Sequence, residues 1–338
     1  MSVTPSGDFD GPEPSSLWGV TDASEPVIIA RPAHWNIKLG TFIKLLDELA
    51  ISDNATTGNA SYYLEYFPLP LLGDELMKDV LPMPFANFLI KRYRLLWLGG
   101  GGARTVGRLH FDREENLMAI IRGSKTFTLF SPSESEYLYG DSPLREASFS
   151  FSFAPNGSAV FSRDPSNVSP VKAETHVYSP VDIRRPDYKL FPNLRRARGF
   201  NCTIHAGEVL YVPSHWWHQV TSYADSDLGK TIALNYFFEP FYHRPGYKCR
   251  SPLLIKNRYY SHLRDLELAR PCGKPTVCFR SRRGATRRGG RRRGVGKGGS
   301  TRATSSRPRR RSNRIGGRAR RTRRSGKSTA VPRVRREL

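Results

Sequence analysis

The sequence predicts a mainly β fold with flanking helices, followed by a disordered basic C-terminal tail. Three observations predict it. Short stretches alternate apolar and polar residues with the period of two that a strand imposes, as in Phe149-Ser-Phe151-Ser-Phe153. Turn-forming steps at Gly123, Asn156-Gly157 and Gly207 punctuate them. Helical spacing is confined to a few stretches, above all residues 39–50.

In chain order, residues 1–20 are polar and acidic with three prolines, and read as disordered. Residues 26–30 form a first strand. Residues 39–50, with Phe42, Ile43, Leu45, Leu46 and Leu49, form an amphipathic helix. Residues 61–67 are an aromatic-rich strand, 74–80 a helical turn, and 94–98 a strand entering a glycine run at 99–102. The stretch 108–130 reads as a strand, a tight turn at Arg122-Gly123-Ser124, and a return strand carrying Lys125, Phe127 and Leu129. A hairpin turns at Asn156-Gly157. Residues 162–199 are irregular and basic. A buried strand, 209–212, ends at Pro213, and 231–238 is a last strand. Residues 251–268 have helical spacing.

Charge is uneven. Of 54 Lys and Arg, 23 lie in residues 281–338, which hold one acid, Glu337; this stretch carries +22 of the net +24. With almost no large apolar residues it buries no core. Its arginine clusters suit phosphates, hence RNA or DNA, or form a solvated tail. They also have the composition of nuclear import signals. Four cysteines, Cys202, Cys249, Cys272 and Cys278, lack C-x-x-C spacing, so reduced thiols are expected rather than a zinc site or disulfide framework. No run of 18 or more apolar residues occurs, so no membrane span is expected. No signal-peptide pattern opens the chain. A cytoplasmic or nuclear location, or both, follows as the expectation.

The chemistry centres on His110-Phe-Asp112. On a strand, residues i and i+2 share a face, so an imidazole and a carboxylate converge. That is two thirds of the 2-His-1-carboxylate set that holds Fe(II) on one face and leaves the other open. A third ligand is available in Gly207-Glu-Val-Leu-Tyr-Val-Pro-Ser-His215-Trp-Trp-His218, where the spacing leaves both histidines as candidates. Lys125, close by in sequence, suits an anionic co-substrate.

These residues, with Asn116, Gly123, Lys125 and Asn235, resemble the JmjC family of 2-oxoglutarate-dependent Fe(II) oxygenases over roughly residues 60–240. Leu96-Trp97-Leu98-Gly99, Ser179-Pro180-Val181-Asp182, Pro186-Asp187-Tyr188 and Phe191-Pro192 resemble the small (3S)-lysyl hydroxylase subgroup. The resemblance implies a double-stranded β-helix, a jelly-roll or cupin-like barrel, over residues 21–245, and a helical segment at 246–270 that either dimerises or simply packs. It implies His110, Asp112 and His218 as iron ligands, since His218 directly follows the two tryptophans. It implies Lys125 on the distal carboxylate of 2-oxoglutarate, and Asn116 and Asn235 as supporting contacts. O2 is the other co-substrate. Tyr63 matches a co-substrate tyrosine of the subgroup, or packs in the core.

Two departures stand out. His34-Trp35 runs almost directly into the 39–50 helix, so the N-terminal part of the barrel reads as shortened. Relatives commonly place a threonine three residues before the first iron histidine; Gly107 stands there, and Thr105 is the nearest substitute. The implied activity is hydroxylation of a lysine-containing protein substrate, with release of succinate and CO2. Lysine demethylation and a catalytically weak adaptor working through the basic tail are the alternatives.

Overall fold

The computed structural model describes residues 1–240, apart from 23, 52–59, 81–82, 88 and 101–103. The expected helix at 251–268, with its dimerisation role, and the basic stretch 281–338 lie outside the described residues. The strands and helices, in chain order, are β1 (Ser2–Thr4), β2 (Asp8–Phe9), β3 (Gly11–Pro14), β4 (Val27–Arg31), β5 (Ala33–His34), α1 (Leu39–Ile51), β6 (Ser61–Pro68), α2 (Asp74–Asp79), β7 (Lys91–Gly100), β8 (Thr105–Phe111), β9 (Glu115–Arg122), β10 (Ser124–Phe130), β11 (Arg145–Ser148), β12 (Ser150–Phe153), β13 (Ala159–Ser162), β14 (Ser169–Pro170), β15 (Gly199–His205), β16 (Val209–Val212), β17 (Trp217–Tyr223) and β18 (Lys230–Phe238).

Two sheets dominate. One runs β16-β9-β18-β7-β6-β1-β5 and the other β15-β10-β17-β8-β2. Met118, Ile120 and Ala233 from the first pack against Phe127, Leu129 and Ile204 from the second, so the sheets lie face to face. The alternate residues of the first sheet, Leu117, Ala119, Leu234 and Tyr236, point the other way and meet Phe42 and Leu46 of α1. Burial on both faces explains why β9 and β18 are almost continuously apolar rather than alternating. Asn116 and Asn235 are buried polar exceptions on these strands. This is the jelly-roll arrangement the resemblance implies. A four-stranded sheet, β14-β11-β4-β3, and the hairpin β12-β13 complete the architecture. No helix among the described residues is long and apolar enough to cross a membrane.

Residues 1–20, expected to be disordered, are ordered. β1 lies between β5 and β6, β2 pairs with β8, and β3 pairs with β4. Val3, Phe9 and Trp18 anchor them, each at most 1 % exposed. Three apolar side chains among prolines and acids sufficed, and strands of two to four residues leave no periodic signal. β1 and β2 thereby extend both sheets where the N-terminal part of the barrel reads as shortened.

The stretch 108–130 is also not the hairpin expected. β8 ends at Phe111, and β9 begins in the opposite sheet. Gly123 then turns a second corner between the sheets, so β9 and β10 do not pair. Its φ is +71, and a Cβ there would lie 2.3 Å from the Tyr223 carbonyl oxygen, so only glycine fits. β16 is a half-exposed edge strand, with Val209 41 % and Tyr211 46 % exposed, rather than a buried one. The Asn156-Gly157 turn does join a hairpin, β12 to β13.

Candidate metal centre

His218 on β17 stands directly opposite His110 on β8 in the antiparallel ladder. The two rings are 4.3 Å apart between centroids. Asp112 lies one residue beyond the end of β8, in the corner between the sheets, and its Oδ2 is 3.5 Å from His218 Nε2. The pairing of His110 with Asp112 therefore comes from that corner, not from shared strand periodicity. One potential ligand atom from each of the three residues lies within 4.8 Å of the others.

The backbone orients both histidine rings. His110 Nδ1 lies 2.6 Å from the Arg108 carbonyl oxygen, and His218 Nδ1 lies 2.9 Å from that of Trp216. A carbonyl accepts only, so each Nδ1 donates and each Nε2 keeps its lone pair free. Burial, helped by His110, pushes His218 down to about 3, which keeps it neutral. Burial raises Asp112, a carboxyl that a cation would relieve.

Asp112 is held by a network. Asn235 Nδ2 donates to Asn116 Oδ1 at 2.6 Å, and Asn116 Nδ2 donates to Asp112 Oδ2 at 3.5 Å. His215, the other candidate histidine, lies outside the cluster. Its backbone N–H donates to the Asp112 carbonyl at 2.8 Å, its ring stacks on Phe111, and its φ is +64. Ser214 donates to the Arg113 carbonyl and to Glu115, so this loop clamps the corner that presents Asp112.

The other end of the cleft is cationic. Lys125 on β10 is 2 % exposed, and its Nζ donates to Ser222 Oγ at 2.6 Å and Tyr63 Oη at 2.9 Å. Among the described residues no carboxylate forms an ion pair with it. Burial alone pushes it down to about 7. A buried ammonium without a counter-charge is costly, and an anion supplies the missing partner. The residues present thus fit the implied groups: neutral imidazoles and a carboxylate for Fe(II), and a lysine with two hydroxyls for a carboxylate of 2-oxoglutarate.

Ser222 went unnoticed in the sequence because a lone serine carries no motif; its signal was position, four residues after His218 on one strand. Thr105 faces Ser222 across the ladder and lies beside the Tyr63 hydroxyl, but Gly107, not Thr105, lines the cleft. Trp217, the second of the two tryptophans before His218, packs away from the cleft: its ring lies against Phe111, and its Nε1 donates to Ser135. The apolar cleft walls are instead Met118, Phe127, Val220 and Trp97.

The cupin-like domain family matches residues 22–244. JmjC domain-containing protein E of Dictyostelium discoideum is 26% identical over 256 residues, 66% of this chain and 68% of that protein. Lysine-specific demethylase JMJ32 of Arabidopsis thaliana is 32% identical over 144 residues, 43% of this chain and 41% of its own length. HSPB1-associated protein 1 of Homo sapiens is 30% identical over 145 residues, 43% of this chain and 23% of that protein. The chain thus spans less than half the length of the last two. The family match includes all three candidate ligands and Lys125, and the chain belongs to the cupin-like JmjC domain family, a 2-oxoglutarate-dependent oxygenase class.

Proposed function

We propose that the chain is an Fe(II)- and 2-oxoglutarate-dependent protein hydroxylase acting on lysine side chains. The observation that carries this reading is one cleft lined by a His-Asp-His cluster and by a buried lysine that no carboxylate among the described residues pairs with. His110, Asp112 and His218 would hold the iron. Bound there, the metal with 2-oxoglutarate and O2 supplies an oxidation that converts the 2-oxo acid to succinate and CO2 and inserts one oxygen atom into a substrate C–H bond. Lys125, Tyr63 and Ser222 bind the distal carboxylate and so orient the co-substrate along the cleft. Asn116 and Asn235 hold the Asp112 carboxylate in place. Met118, Phe127, Val220 and Trp97 keep water from the reacting end.

A protein substrate or partner is consistent with the relatives named HSPB1-associated protein 1. The arginine-rich stretch 281–338 is proposed to add a salt-dependent affinity for RNA or DNA. The relative named lysine-specific demethylase supports a second reading, removal of a methyl group from lysine. One experiment separates the two. The full chain is incubated with Fe(II), 2-oxoglutarate, O2 and peptide pools containing lysine or methylated lysine, followed by mass spectrometry. Hydroxylation adds one oxygen to unmodified lysine; demethylation removes a methyl group instead. Neither product, alongside succinate release, would contradict lysine as the target.

A further inference from the structure

Beyond the metal end, the cleft opens past Asp10, Glu65 and Tyr66, which line both it and an outer chamber. The chamber measures about 540 Å³ against about 50 Å³ for the cleft, so it is the part with room for a peptide side chain. Its inner wall is Tyr178, whose ring lies 6.1 Å from the His110 ring, so the chamber ends one ring away from the metal cluster.

The chamber is acidic. Asp10, Glu65 and Glu146 face a single guanidinium, Arg31. Arg31 is already engaged: it lies 3.0 Å from Asp10 and 2.7 Å from Glu146, and it donates to the Tyr178 hydroxyl. Among the described residues no lysine or arginine forms an ion pair with Glu65, whose carboxyl takes a hydrogen bond from Ser2. Burial and the neighbouring Asp10 charge push it up to about 8, against the pull of Ser2, Arg31 and the N-terminal ammonium, so a further cation close by would favour its charged form. Beside it, the Tyr66 ring packs on Trp97 at 4.6 Å between centroids and offers a π face near the entrance.

We propose that Glu65 is a specificity-determining residue of the cleft: it pairs with the positive charge of the incoming side chain, assisted by Asp10 and Tyr66, and selects lysine or arginine over a neutral side chain of similar length. This rests on the hydroxylase reading above and deepens it. A carboxylate accepts charge-assisted hydrogen bonds from an ammonium or guanidinium, whereas a trimethylated lysine has no N–H to give. A neutral isostere would offer no charge to this carboxyl and would add no such bond.

The test measures binding to the full chain, with Fe(II) and 2-oxoglutarate under anaerobic conditions, by fluorescence anisotropy. The probes are labelled degenerate peptide pools with lysine, arginine, trimethyl-lysine or norleucine fixed at the centre. The lysine or arginine pool is expected to bind at least about tenfold more tightly than the norleucine pool. Glu65→Gln should bring that ratio close to one, while Glu65→Asp, which keeps the charge, should retain most of it. Equal binding of all pools to the unaltered chain, or an unchanged ratio in Glu65→Gln, would overturn the assignment. Succinate measured in parallel separates the two ideas. Charge-selective binding that Glu65→Gln removes, with no succinate, contradicts the hydroxylase reading and upholds Glu65. Succinate without charge selectivity does the reverse.

Discussion

His218 and Ser222 lie four residues apart on β17 and line the same cleft, His218 opposite His110 and Ser222 in hydrogen bond with Lys125. One strand therefore sets the spacing between the His-Asp-His cluster and Lys125. Four residues of strand span about 13 Å. A bulge in the pairing of β17 with β8, between His218 and Val220, brings Thr105 opposite Ser222.

Removing a proposed metal ligand is the sharpest perturbation. His110→Ala or Asp112→Ala is expected to abolish succinate formation and anaerobic Fe(II) binding together, because two ligands are left where three converge. Activity at the unaltered level in either variant would remove that residue from the ligand set.

Lys125 carries a pH dependence. Pairing with a carboxylate requires its proton, yet burial pushes the free protein's Lys125 down to about 7. Between about 7 and the ordinary lysine value near 10.4, binding must take up a proton, so 2-oxoglutarate affinity should fall by up to about tenfold per pH unit. In that window the unfolded chain binds more protons than the folded one, so the unliganded protein should gain stability as pH rises. Lys125→Ala should raise the 2-oxoglutarate requirement about tenfold or more and flatten the slope. Isothermal titration in two buffers of different ionisation enthalpy reads the proton uptake; none across that range would contradict the assignment.

Gly107 invites a gain of affinity. A Cβ built there meets nothing nearer than the Val220 carbonyl oxygen at 4.0 Å, and the position opens on the cleft. Gly107→Thr should supply a hydroxyl near the co-substrate and lower its half-saturating concentration by about tenfold, the worth of one hydrogen bond to a charged group. Weaker binding in a folded variant would show that the hydroxyl points elsewhere.

Asn235 acts through Asn116 on Asp112. Asn235→Ala should cost about 10–100-fold in metal affinity, as loss of an outer partner of a ligand typically does. An anaerobic Fe(II) titration with unchanged affinity would reduce the asparagine pair to a packing role.

Much of the centre was legible in the sequence because its residues belong to short local motifs: His110-Phe-Asp112, Lys125, and the run ending in His218. Their mutual distance was not. His110 and Asp112 converge because the chain turns a corner after Phe111, and local alternation cannot show which sheet the next strand joins. His215 and His218 were indistinguishable by spacing; a positive φ and a stack on Phe111 turn one away. Ser222, Glu65 and Asp10 belong to the cleft only through long-range pairing, and the ordered N-terminus rests on Val3, Phe9 and Trp18, too sparse to leave a period.

The most direct measurement of the central claim is anaerobic titration of the full chain with Fe(II) and 2-oxoglutarate, read in the visible spectrum, followed by admission of O2 and assay of succinate. A weak charge-transfer band that needs both components, followed by succinate, is the predicted result. A folded protein that shows neither would contradict the assignment of this cleft as a working oxygenase centre.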